Sequence, residues 1–137
     1  MQRSYSPDAT SANKGEVSIK GAFSVNNTSN PVAFRGPSGL STDLPNGIVS
    51  IVYSATGIYT MTFEDNFYAC TSVQCHLGLG TAADKTVQFN GFANLGSATA
   101  ALTATFTLLA AGSAAAITAA SGNEVFFDFT FKRTASK

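Results

Sequence analysis

Apolar and polar residues alternate along most of the chain, and the alternation begins at Glu16. Val17, Ile19, Phe23 and Val25 fall on one face of an extended segment, and Ser18, Lys20 and Ser24 on the other. A period of two marks a half-buried strand, because successive side chains point to opposite sides of a sheet. NNTSNP then reads as a turn, and Pro31 to Arg35 as a short strand. Ile48 to Ser54 and Ile58 to Glu64 are rich in β-branched and aromatic residues. Ala55-Thr56-Gly57 between them predicts a three-residue hairpin loop, with Gly57 supplying the left-handed position.

Asn66 to Tyr68 turns the chain, and Ala69 to Leu79 is extended, with Val73, Cys75, Leu77 and Leu79 on one face. Thr86 to Phe92 is another strand. From Ala100 to Leu109, Leu102, Ala104, Phe106 and Leu108 alternate with threonines. Threonine suits an exposed strand face because it is β-branched yet polar. Ala110 to Ala120 combines alanine with Gly112 and reads as a loop tip with room for a short helical turn. The last strand, Glu124 to Lys132, sets Val125, Phe127, Phe129 and Phe131 against Asp128, Thr130 and Lys132. With eleven Phe and no Trp, phenylalanine must fill most of the core.

These segments predict an all-β protein, an antiparallel β-sandwich or jelly-roll-like barrel of about seven or eight strands. Residues 1 to 15 are polar and aperiodic, and read as an extended, flexible N-terminal arm. Residues 16 to 137 form the single β-sandwich domain, a length sufficient for a real core.

Composition changes the picture in one respect. Charged residues make up only 12 % of the 137 residues, against about 25 % in ordinary soluble domains. Solvation therefore falls to Ser, Thr, Asn and Gly, which suits a surface largely covered by partners. Eight basic and eight acidic residues cancel, so the basic footprint of a nucleic-acid binder is missing. No apolar run reaches the roughly 18 residues of a membrane span, and the polar start predicts no signal peptide.

Candidate chemistry is sparse. Cys70 and Cys75 lie five residues apart, which places them on opposite faces of one strand as unpaired thiols. His76 adjoins Cys75 and points the other way, so the two do not form a nucleophilic pair. Glu64 and Asp65 would need a partner such as Asp128 to make a hydrolytic carboxylate set, and otherwise read as a polar strand end. Phosphate-binding glycine loops, Gly-x-Ser-x-Gly and the Asp-rich calcium loop are absent from the sequence. The expectation is a protein that is not an enzyme, with no catalytic, cofactor-binding or metal residues.

GIVSIVYSATGIYTMTFEDNF (Gly47 to Phe67), SVQCHLGL (Ser72 to Leu79) and EVFFDFTFKRTAS from Glu124 resemble small virion accessory proteins of tailed bacteriophages. The resemblance covers about the last two-thirds of the chain, and residues 1 to 46 match it least. It implies a capsid decoration, or cement, protein on the outer capsid surface of the virion, made in the host cytoplasm. The implied partners are the major capsid protein and further copies of the chain, a trimer before a dimer, with no nucleic acid and no membrane. The alternative is a head or tail fibre module that recognises a host surface glycan, with Tyr53, Tyr59 and Tyr68 as candidate stacking residues.

Overall fold

A computed structural model describes residues 15–26, 28–36, 39–118 and 122–133. The arm expected at residues 1 to 15 lies outside these, apart from Gly15. Among the described residues there are ten strands and no helix. They are β1 Glu16–Ser24, β2 Phe34–Gly36, β3 Gly39–Ser41, β4 Ile48–Ala55, β5 Ile58–Phe63, β6 Ala69–Gly78, β7 Lys85–Ala93, β8 Thr103–Ala110, β9 Ser113–Ala114 and β10 Glu124–Lys132. The all-β expectation holds. Two short strands, β3 and β9, are too brief to leave a period in the sequence. In place of a helical turn after Ala110, Ala111 and Gly112 turn the chain so that β9 pairs back onto β8.

The strands form two antiparallel sheets. The first has the order β3-β2-β1-β10-β6, and the second β4-β5-β8-β7, with β9 on β8. The terminal strands β1 and β10 pair along their whole length in the first sheet, from Glu16 opposite Lys132 to Ser24 opposite Glu124. The alternation then dictates the packing. Ile19 and Phe23 of β1 and Val125, Phe127, Phe129 and Phe131 of β10 are buried. They meet Tyr59, Met61, Phe63, Ala104, Phe106 and Leu108 of the second sheet in one core. Burying apolar side chains is worth about 1.5–3 kcal/mol each, so this row is the main source of stability.

Most aromatic contacts in that core are tilted or edge-on, while Phe67 and Phe129 stack on Phe131, arrangements that suit the ring quadrupole. Phe23 lies 5.4 Å from Tyr59, and Phe63 lies 5.5 Å from Phe129, both across the two sheets. The Tyr59 hydroxyl is buried and, among the described residues, unpaired. Burial raises its pKa, opposed by the Asn26 backbone and assisted by neighbouring Tyr53. An orphaned buried hydroxyl carries a desolvation cost of about 1–3 kcal/mol. Tyr59→Phe is therefore expected to match or exceed the parent in stability, which urea unfolding will show. A loss above about 1 kcal/mol would mean that the hydroxyl finds a partner after all.

Two local details depart from the sequence pattern. The β4–β5 hairpin closes on two residues, Thr56 and Gly57, because Ser54 is left over in a bulge between Tyr53 and Ala55. Gly57 keeps the expected left-handed conformation, φ 71°. Asn66 does more than turn the chain. Its amide donates to the carbonyls of Asn94 and Ala100, and its Oδ1 accepts from the N–H groups of Phe67 and Gly96. One side chain thus pins the loop between β7 and β8.

Candidate functional site

The outer face of the first sheet carries rungs of side chains that run across the strands. Register places Arg35, Ala22, Phe126 and His76 in one rung. Lys20, Asp128 and Gln74 form the next. Phe126 breaks the alternation of β10, since it is an aromatic on the polar face. His76 stacks on it at 4.8 Å with the planes 11° apart. Gly78 makes room for this, because a Cβ there would lie 2.8 Å from the Phe126 ring. Ala22 faces outward yet is 0 % exposed, so its larger neighbours close over it.

Arg35 reaches across β1 to Glu124 on β10. Its Nε and Nη2 donate to the two carboxylate oxygens at 3.0 and 2.9 Å. This bidentate fork fixes both side chains, and it raises the Arg35 pKa chiefly through the hydrogen bonds to Glu124. Between the two rungs lies a trough of about 400 Å³. Arg35, Phe126 and His76 wall one side, and Lys20, Asp128 and Gln74 the other. Gly21 and Phe127 also line it, and since the Phe127 side chain points into the core, its backbone supplies the floor. The trough crosses four strands, about 14 Å at the usual strand spacing.

The second sheet presents a different surface. Thr60 and Thr62 of β5 pair with Thr105 and Thr103 of β8, and Thr107 lies opposite Ile58. Val52 and Ser50 of β4 extend these rows on one side, and Gln88 of β7 on the other. The two outer faces divide the charges unequally. The strands of the first sheet hold Glu16, Lys20, Arg35, Glu124, Asp128 and Lys132. Those of the second hold Lys85 alone, at the start of β7.

The sequence candidates fare unevenly. His76 is exposed and part of the trough, pointing away from Cys75 as expected. Asp128 lines the trough, whereas Asp65 lines a separate recess with Asn46 and Arg133, so the structure does not bring them together as a catalytic pair. Among the described residues no three of His, Cys, Asp and Glu gather as a metal-ligand set. Tyr59 is in the core and unable to stack on a ligand, Tyr53 packs edge-on against it, and Tyr68 is exposed. Arg35, Phe126, Lys20 and Gln74 were not marked by the sequence as site residues. The one local signal was Phe126, out of phase in β10.

The placement of the thiols corrects the expectation. A bulge between Thr130 and Phe131 inserts an extra residue, Thr71, into β6, so that Cys70 pairs with Phe131 and Cys75 with Phe127. Both phenylalanines point inward, so both cysteines face the core from the same side. They are free thiols. Burial raises both pKa values above the usual 9.0, for Cys70 against the pull of hydrogen bonds to the Ser72 and Thr130 backbones. A thiol whose folded pKa is raised favours folding fully below the unfolded value. That contribution is lost as pH rises through the folded pKa. Stability is thus expected to fall above about pH 9, and less so in Cys70→Ala/Cys75→Ala. Iodoacetamide at neutral pH should modify the folded thiols far more slowly than the unfolded ones. Equal rates would contradict their partial burial.

Compared with known proteins, the chain matches no family model, no curated protein and no solved structure.

Proposed function

We propose that the protein is a capsid decoration protein of a tailed bacteriophage, seated on the outer surface of the major capsid shell in repeated copies. The observation that carries this reading is the segregation of charge between the two faces. Of seven charged side chains in the described strands, six lie in the first sheet and one in the second. The cores of protein–protein interfaces are depleted in charge, because an unpaired ion loses its hydration there. The threonine-rich face of the second sheet has that character, and it is the surface laid against the shell. The charged face of the first sheet then points to solvent. The resemblance of the β4–β5 hairpin and of β10 to phage virion proteins supports the same reading. A homo-oligomer, a trimer first, suits a lattice that repeats its contacts by symmetry.

Co-sedimentation with capsid shells that lack the protein tests this. Stoichiometric, saturable binding that raises the shells' resistance to heat is expected. Thr62→Lys or Thr105→Glu should weaken that binding more than about tenfold while leaving the fold intact. Lys20→Ala on the opposite face should not. Shell binding that tolerates both threonine substitutions would refute the proposed seat, and the absence of any shell binding would refute the decoration role.

A further inference from the structure

We propose that the trough on the outer face of the first sheet is a binding site for a neutral, linear oligosaccharide. The inference goes beyond shell attachment and does not depend on it.

The two walls of the trough differ in chemistry. The Phe126 and His76 rings, stacked at 4.8 Å, give one side an apolar wall. Lys20, Asp128 and Gln74 give the other a polar wall. A pyranose has the same division, with apolar C–H patches and a rim of hydroxyls. Aromatic surface takes the first, and each hydroxyl, being both donor and acceptor, needs donors and acceptors interleaved. Lys20 donates, Asp128 accepts and the Gln74 amide does both.

The polar groups of the trough are also unspent. Among the described residues, the side chains of Lys20, Gln74 and His76 make no hydrogen bond, and Asp128 has only a long contact of 3.5 Å from Ser18. Arg35 and Glu124, by contrast, are consumed by each other. Their fork holds one end of the trough in shape, which lowers the ordering cost of binding.

Charge and size fit the same ligand. Lys20 and Arg35 balance Asp128 and Glu124, so the site as a whole has no reason to prefer an ion of either sign. The volume of about 400 Å³ lies in the range of small-ligand sites. A span of about 14 Å over four strands is longer than one sugar ring and suits a short chain of them.

The test is a titration of the ¹⁵N-labelled full chain with cellotriose, maltotriose and chitotriose, with sialyllactose as the anionic comparison. Saturable shifts of the Gly21, Gln74 and Phe127 amides are expected from at least one neutral trisaccharide, with a Kd of about 1 mM or tighter. Gln74→Ala and Asp128→Ala, on the solvent side, should each weaken it about fivefold or more, and Phe126→Ala should weaken it further. Thr105→Glu on the opposite face should leave it unchanged. The proposal is overturned if none of the neutral sugars gives saturable shifts by about 50 mM. It is equally overturned if only sialyllactose binds, or if binding persists unchanged in Gln74→Ala/Asp128→Ala. Because this readout involves no capsid, failure here leaves the decoration role standing, and failure to bind shells leaves the trough standing.

Discussion

Phe129→Ala should lower the free energy of unfolding by about 3–5 kcal/mol, the largest loss expected from any single core substitution in this chain. Phe129 is 0 % exposed and lies at the centre of the ring lattice. Phe63, Phe89, Phe92, Phe106, Phe127 and Phe131 surround it, with centroids between 5.5 and 6.1 Å away. Those rings come from β5, β7, β8 and β10. Truncation leaves a hole bounded by four strands of both sheets, and relaxation that fills it for one strand opens it for another. A domain of this size is stable by only about 5–15 kcal/mol, so the loss takes a large share. Denaturant unfolding should show a lower midpoint at unchanged slope. Phe129→Leu keeps most of the volume and should cost less than about 1.5 kcal/mol. A cost below about 1 kcal/mol for the alanine would mean that the rings are not packed as described.

The faces of β1, β5, β8 and β10 were legible in the sequence because each strand buries one side and solvates the other. A one-residue error in phase would expose every core phenylalanine of β10, so the period is strongly imposed. What was not legible came from interruptions of that period or from relations between distant segments. The bulge at Thr71 rephases Cys70, and nothing in ACTSVQC announces it. The trough is assembled from residues 20, 35, 74, 76, 126 and 128, which only strand order brings side by side. Its one local trace is Phe126, whose apolar ring stands where alternation calls for a polar group. Asn66 was readable as a turn residue. Three of its four hydrogen bonds were not, because their partners lie in the distant loop from Asn94 to Ala100, which only the tertiary fold brings beside it. The uncharged face of the second sheet was half visible. Its threonines were plain, but only the pairing of β5 with β8 makes them one surface.

Gly57→Ala is expected to cost about 2–4 kcal/mol, far more than a surface turn position normally would. Two effects add. The left-handed conformation at φ 71° disfavours any Cβ by about 1–2 kcal/mol. That Cβ would also stand 2.6 Å from the Ala115 carbonyl oxygen and 3.0 Å from the Ala115 nitrogen. These are backbone atoms and have no rotamer into which to retreat. The segment that must yield is held on both sides. Leu108 donates its N–H to the Gly57 carbonyl, Ala115 donates to the Leu108 carbonyl, and Ile117 just beyond is 2 % exposed in the core. Displacing Ala115 therefore pulls on β8 and on the core together. Gly112 separates the two effects, since it has φ 81° but nothing within 4 Å of its Cβ position. Gly112→Ala should show the conformational cost alone, about 1–2 kcal/mol. Equal losses at the two glycines would show that the contact with Ala115 contributes nothing. The expected excess at Gly57 should appear with faster hydrogen exchange of the Leu108 and Ala115 amides, because these bonds open when the strap after β9 moves away.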